Sequence, residues 1–123
     1  MKFKTLTAGA RPWYVAWEVG KYVSETDRAG VILGTGGGLE LFVSQQQSTG
    51  LVDNHYTVLT SLSNLNWHSL MMVFVGDNVK VYVDGLLYLD VTDSIIGVLG
   101  ASQVELASWG DSESQFGGTT ITF

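Results

Sequence analysis

Residues 67–92 read WHSLMMVFVGDNVKVYVDGLLYLDVT, three apolar runs separated by two turn sequences. The separators are Gly-Asp-Asn at 76–78 and Asp-Gly at 84–85, residue types that favour tight turns. The middle run alternates valine with other residues, which is the period of a strand with one buried face. The first run, 67–75, is apolar at odd and even positions alike, which predicts a central strand covered on both faces.

The register of the second hairpin follows from its apolar pattern. A two-residue turn would bring Asp90 to the core face, and a change of register by one residue removes it from that face. The pattern therefore predicts a three-residue loop, 83–85, with Gly85 at positive φ and Val81 opposite Leu87. In this register the side chains that point away from the core include Tyr82, Tyr88 and Leu86.

Period-two alternation continues through the rest of the chain, and glycine-, serine- and asparagine-rich segments separate the runs. No helix longer than one turn is predicted, no linker divides the chain, and 123 residues suit a single domain. The sequence thus predicts one all-β domain, residues 1–123. Its predicted strands are 2–7, 13–19, 30–34, 38–44, 55–60, 67–75, 78–83, 86–92, 103–108 and 118–123.

Several of these segments resemble the laminin-G and concanavalin-A-like group of domains. Members often contain Trp-His followed by an apolar strand, a glycine turn and a strand that ends Tyr-Val-Asp-Gly, as in residues 67–87 here. Residues 28–41 look like the group's earlier strand pair, and residues 116–121 look like its late Gly-x-Ile strand. The resemblance implies an antiparallel β-sandwich of jelly-roll type. The group includes lectins, adhesion modules, virion proteins and some glycanases, so the fold alone leaves the function open.

Charge and composition limit the partners. The chain carries six Lys or Arg and twelve Asp or Glu, a formal net charge of −6, and no base follows Lys80. Phosphate recognition needs several bases on one face, so we expect no nucleic-acid binding and no attraction to an anionic membrane surface. The longest apolar run, 70–75, is far shorter than the roughly 20 residues of a membrane helix, so no membrane insertion is expected. The absence of cysteine excludes disulfides and thiol catalysis.

No catalytic constellation is recognisable. Concanavalin-like glucanases place acids at alternating positions along a strand. Glu25 with Asp27, and Asp111 with Glu113, have that spacing but lie in polar loop sequences without a third acid. Serine is abundant, yet no Gly-x-Ser-x-Gly elbow occurs. His68 is expected to form a hydrogen bond at the rim of the sheet. We therefore expect a protein that is not an enzyme.

Aromatic, apolar and amide residues are the candidates for a ligand site or an interface. Trp109 lies in a Ser-Trp-Gly-Asp loop sequence, where an indole suits a sugar face, a protein contact or a lid over the core. Trp67, at the start of a central strand, is expected in the core. The full set of candidates is Trp109, Tyr82, Tyr88, Leu86 and Asn54.

No cofactor is expected, with calcium as the one alternative. Hard cations prefer several oxygen ligands from loops, and acids are concentrated in the last third of the chain. Asp111 and Glu113 are the candidate ligands, and the competing interpretation is that these acids are simply solvated. The two histidines lie 13 residues apart on separate predicted strands, which matches no zinc signature.

Two non-enzymatic functions fit these observations. The first is a structural or recognition protein, a virion or surface component of decoration or fibre type, which contacts protein partners or further copies of itself. The alternative is a carbohydrate-binding, lectin-like module that uses loop aromatics, and a glycan hydrolase comes third. An initial Met, one domain and no recognisable signal peptide favour the virion or surface component, although the localisation stays open.

Overall fold

The structure is a computed structural model that describes residues 2–5, 15–34, 38–60, 62, 66–99, 103–107 and 119–122, with side chains described within 20–32, 38–60, 62 and 66–99. This part of the chain contains ten strands and one short helix. The strands are β1 (Lys2–Thr5), β2 (Val15–Tyr22), β3 (Arg28–Gly34), β4 (Gly38–Gln47), β5 (Gly50–Leu59), β6 (His68–Val75), β7 (Asn78–Val83), β8 (Leu86–Thr92), β9 (Gln103–Ala107) and β10 (Thr119–Thr122); the helix is α1 (Ser94–Val98).

The strands form two five-stranded sheets in which all neighbours are antiparallel. The first sheet has the order β10-β1-β6-β7-β8, and the second has the order β5-β4-β3-β2-β9. The all-β prediction is confirmed. Each of the ten predicted strands is present, and the one helix is a single five-residue turn. In the described residues no helix has the length and apolar character needed to cross a membrane.

One buried apolar cluster draws on both sheets and on α1. From the second sheet it takes the inward side of β3 and β4, and from the first sheet the valines of β7, whose alternation the sequence shows. Leu39, Leu41, Val79 and Val81 are completely inaccessible. The period-two pattern therefore decides which face of each strand is removed from water.

The expectation that β6 is covered on both faces is wrong. Its burial alternates, with Leu70 buried and Met71, Val73 and Val75 exposed. The strand is central in the sense of sheet order, because it lies between β1 and β7. Trp67, which was expected in the core, is also exposed. Apolar residues at both odd and even positions show that both faces of a strand are apolar, but they do not show that both faces are buried.

The tight turn between β7 and β8 differs from its prediction. Val83 pairs with Leu86, so Asp84 and Gly85 form a two-residue loop. Asp84 has φ 52° and Gly85 has φ 80°, and two consecutive positive φ values are the signature of a type I′ turn. The predicted three-residue loop is therefore wrong, whereas the predicted positive φ of Gly85 is confirmed.

A two-residue loop alone would point the wrong side chains of β8 toward the core, and a β-bulge in β8 corrects their orientation. Tyr82 pairs with Leu87, but Val81 pairs with Leu89, so Tyr88 is the extra residue on β8. The predicted pair of Val81 with Leu87 is accordingly wrong.

Because of the bulge, the orientation predicted for Tyr88 is wrong. Asp90 lies opposite Lys80, and Val91 lies opposite Val79, so the carboxylate leaves the core face and the valine enters it. Tyr88 was expected to point away from the core, yet it is half-buried and packs against the core cluster.

Replacement of Gly85 by alanine is expected to lower the free energy of unfolding by about 1 kcal/mol or more, because a Cβ is disfavoured at positive φ. The surroundings are open, so the loss comes from backbone conformation alone. Gly38→Ala is the matched control, since Gly38 also has open space around it but no positive φ. Chemical denaturation of both variants measures the difference, and equal stabilities would contradict the assigned turn.

Candidate functional site

The outward side of β6, β7 and β8 carries a continuous set of apolar side chains, which we call the outer apolar face: Met71, Val73, Val75, Tyr82 and Leu87. Met71, Tyr82 and Leu87 lie opposite one another across the three strands. Met71 is 53% exposed, Val75 68% and Leu87 50%. An apolar surface of this kind is where a soluble protein usually contacts another molecule.

At the tip of the β7–β8 hairpin, Asp84 ties the turn to the start of β6. Its Oδ2 lies 2.7 Å from Nδ1 of His68, and its Oδ1 accepts a 2.8 Å hydrogen bond from the backbone N–H of Ser69. The bond with His68, followed by that from Ser69, holds the pKa of Asp84 below its usual value. The predicted hydrogen bond of His68 at the rim is confirmed. Leu86 follows directly and is 65% exposed.

A second carboxylate, Asp93, lies buried between the two sheets. Its Oδ1 accepts from the N–H of Ile95 and so caps α1, while its Oδ2 accepts from Nδ2 of Asn54 at 2.8 Å and from the hydroxyl of Tyr56 at 2.9 Å. Burial by itself would raise the pKa of Asp93, but the bonds from Ile95, Asn54 and Tyr56 together lower it below its usual value. Asn54, a predicted ligand or interface residue, thus uses its amide to join β5 to α1.

The side of the second sheet that points away from the core carries a linked polar group. His55 on β5 lies between two carboxylates, with Nδ1 2.7 Å from Glu40 and Nε2 3.2 Å from Asp53. Thr57 donates to the other oxygen of Glu40. The hydrogen bond with Glu40 is the main cause that raises the pKa of His55, with Asp53 adding to it against partial burial.

Beside this polar group is a shallow open depression of about 140 Å³. Arg28 covers the ring of Phe42, with its guanidinium carbon 5.2 Å from the ring centre, a cation–π geometry. The lining consists of Glu25, Arg28, Ile32, Phe42, Ser44, Leu51, Asp53 and His55.

On the strands β2 and β3 of the same sheet, Gly20 pairs with Gly30. A Cβ on Gly20 would collide with the backbone of Ala29 and Gly30.

Of the acids considered for a glycanase, Glu25 and Asp27 lie in the described turn between β2 and β3, where each accepts hydrogen bonds from nearby residues. Asp27 accepts hydrogen bonds from Ser24, Thr26 and the backbone of Gln46, and the bond from Ser24 is the main cause that lowers its pKa. Its neighbour Glu25 accepts from the hydroxyl of Tyr22. Asp27 therefore stabilises the turn between β2 and β3 in its ionised form, a poor state for a general acid.

Three candidates, Trp109, Asp111 and Glu113, lie outside the described residues. Within the described residues no three His, Cys, Asp or Glu side chains are grouped so that they could hold a metal ion. The C-terminal acids whose side chains the structure describes have partners: Asp84 and Asp93 as above, and Asp90 through Asn78 and Lys80.

Sequence reasoning missed the group formed by Glu40, Asp53 and His55, because it placed residues 48–54 in a loop. The structure connects β4 and β5 by Ser48 and Thr49 alone and begins β5 at Gly50. Gly50 has φ 128° in the structure. Because glycine adopts positive φ readily, its presence in the sequence was the signal that could have predicted a tight turn here.

Asp93→Ala is expected to lower the free energy of unfolding by about 2–3 kcal/mol, because the helix cap is lost and the donors of Asn54 and Tyr56 lose their acceptor. Asp90→Ala, which removes an exposed carboxylate three residues away, should cost much less, because exposed ion pairs contribute little to stability. Denaturant unfolding followed by tryptophan fluorescence compares the two, and equal losses would contradict a central role for Asp93.

The same carboxylate is expected to contribute to acid sensitivity. Because its pKa is lower in the folded chain than in the unfolded chain, Asp93 stabilises the fold above about pH 4, and this contribution declines as the pH falls through the folded pKa. Unfolding measured from pH 7 to pH 2.5 should therefore show a steeper acid loss for the unaltered chain than for Asp93→Asn. Parallel pH profiles would show that another group governs the acid limb.

Comparison with known proteins leaves these sites to be interpreted from their geometry. No family model matches the chain, and no curated protein matches it at a significant level.

Proposed function

We propose that this chain is a non-catalytic structural or recognition protein that acts through protein–protein contacts, as a virion or surface component of decoration or fibre type. In this proposal the two sheets pack as a β-sandwich of jelly-roll, concanavalin-A-like type. The shared buried cluster and the pairing of β1 with β10, which brings the two ends of the described chain together, support that architecture.

The observation that carries the proposal is the outer apolar face. Its residues come from three adjacent strands in register, so they form one surface rather than scattered exposed positions. The ion pair of Lys80 with Asp90, 3.4 Å apart, lies on the same side of the sheet, beside Val73 and next to the row of Met71, Tyr82 and Leu87. Apolar side chains together with polar ones are the usual composition of a protein–protein interface.

The arrangement of the acids supports the absence of catalysis. Glu40 and Asp53 both bind His55, and Asp27 is committed to its turn. The hydrogen bond from Ser24 lowers the pKa of Asp27 and so favours its ionised form, whereas acid–base hydrolysis of a glycan needs one carboxyl that keeps its proton.

Assembly through the outer apolar face is tested by the double substitution Met71→Glu with Val75→Glu. Sedimentation velocity and light scattering at micromolar concentration should show an assembly larger than one chain for the unaltered protein and a smaller one for the variant, because carboxylates are excluded from an apolar contact. Both positions are more than half exposed, so the fold should persist, which circular dichroism checks.

Val98→Glu is the matched control. Val98 is 63% exposed on α1, outside the outer apolar face, so its replacement should leave the assembly unchanged. An assembly whose size the double substitution leaves unchanged, or one that Val98→Glu reduces equally, would contradict the proposed interface.

The second candidate function is carbohydrate binding, favoured by the depression on the second sheet. Arginine stacked on phenylalanine, with carboxylates, a serine and a histidine around it, offers the hydroxyl-directed hydrogen bonds and apolar floor that a sugar needs. Binding on a glycan array that Arg28→Gln abolishes and Lys80→Gln preserves would establish this function. An array without signal would leave the structural function as the better explanation.

A further inference from the structure

Within the described part of the chain, β5 is an edge strand without the features that most often prevent pairing with another chain. It lies at the end of the second sheet and pairs, among the described strands, with β4 alone. Its ten residues keep one register with β4 from Gly50 to Leu59, without a bulge. It contains neither lysine nor proline, which together with bulges and short length are the features that discourage edge-to-edge association.

The other edges in the described part of the chain do carry such features. β8 contains the bulge at Tyr88, and β9 and β10 have five and four residues. β5 is thus the long and regular edge in this set, and a regular edge is a template for one more strand.

The sequence of β5 suits pairing with a second copy of the same strand. Residues 51–59 read LVDNHYTVL, with His55 at the centre and the same two residue types, leucine and then valine, counted inward from either end. If two copies pair antiparallel about a two-fold axis at His55, Leu51 faces Leu59 of the second copy. In the same register Val52 faces Val58 of the second copy, because paired residues have sequence numbers that sum to a constant.

The burial of these side chains agrees with that pairing. Leu51 is 54% exposed and Leu59 87%, so both have apolar surface to lose on the outward side of the sheet. Val52 and Val58 are half-buried against the core cluster, and their cross-strand pairs would continue that apolar layer across the axis. Apolar pairs directly opposite each other are the unit of stabilisation in a sheet.

The charges on β5 are compatible with a second copy. The strand carries one acid, Asp53, which would lie opposite Thr57 and not opposite another carboxylate. The two copies of His55 meet at the axis, and each is already bound to Glu40 and Asp53 of its own chain. The edge is therefore nearly neutral although the whole chain carries a net charge of −6.

We propose that β5 pairs antiparallel with β5 of a second copy of this chain, with the two-fold axis at His55. The two second sheets then join into one continuous ten-stranded sheet. Pairing over residues 51–59 forms about eight to ten backbone hydrogen bonds across the axis. This interface is separate from the outer apolar face, which belongs to the other sheet.

Disulfide cross-linking tests the register, because the chain has no cysteine of its own. We expect a mixture of Leu51→Cys chains and Leu59→Cys chains to form a disulfide between unlike chains under mild oxidation. Either variant alone should form several-fold less, since its two cysteines would lie at opposite ends of the paired strands.

Two further mixtures make the outcome decisive. Leu51→Cys with Val98→Cys reports random collision, because Val98 is comparably exposed but lies on α1, outside both proposed surfaces. Leu51→Cys with Thr57→Cys reports an axis at residue 54 instead of 55. Cross-linking of the Leu51 and Leu59 mixture no greater than in either of these would overturn the proposal.

A charged substitution measures the association itself. Leu59→Lys should raise the dimer dissociation constant at least tenfold in sedimentation equilibrium, whereas Val98→Lys, at an exposed position of α1 outside both proposed surfaces, should leave it unchanged. Circular dichroism verifies that both variants remain folded. A dimer that tolerates Leu59→Lys would overturn pairing through β5, and its sensitivity to Val75→Lys would assign the contact to the outer apolar face.

Discussion

One buried carboxylate, that of Asp93, connects the parts of this fold that the hydrophobic effect alone would not fix relative to one another. It follows β8 of the first sheet, accepts hydrogen bonds from two side chains of β5 in the second sheet, and caps the helix that contributes Ile95 and Ile96 to the core. Its own N–H donates to the carbonyl of Asp77 in the turn between β6 and β7. Apolar packing is nearly non-directional, whereas these hydrogen bonds require one relative placement of the two sheets.

The sequence predicts the number and order of the strands because alternation is a local property of the chain. Valines at 79, 81 and 83 are all buried, as their spacing requires. The bulge at Tyr88, in contrast, does not follow from the alternation of residues along the strand. Both a longer loop and a bulge remove Asp90 from the core face, so the apolar pattern alone could not separate them. The chemistry of Asp84-Gly85, which favours a two-residue type I′ turn, was the signal that distinguishes them.

The candidate sites were harder to predict because they depend on pairing between strands distant in sequence. His55 meets Glu40 only through the register of β4 with β5, and Arg28 covers Phe42 only through that of β3 with β4. The turn-forming character of Asp53 and Asn54 concealed this register by suggesting a loop. Once β5 includes them, Asp53 points outward to His55 and Asn54 points inward to Asp93, as alternation along a strand demands.

The distribution of charge explains how so apolar a chain can leave hydrophobic side chains exposed. Nearly half of its residues are hydrophobic, and its net charge of −6 supplies long-range repulsion that opposes unspecific association. That repulsion acts between whole molecules and is weak over the short distances of a matched contact, where screening and burial of apolar area dominate. Association is then decided by complementarity. The outer apolar face and the edge of β5 each present apolar side chains at aligned strand positions, and the two surfaces belong to different sheets. A chain with two such surfaces can contact one neighbour through each, which is what an assembly larger than a pair requires.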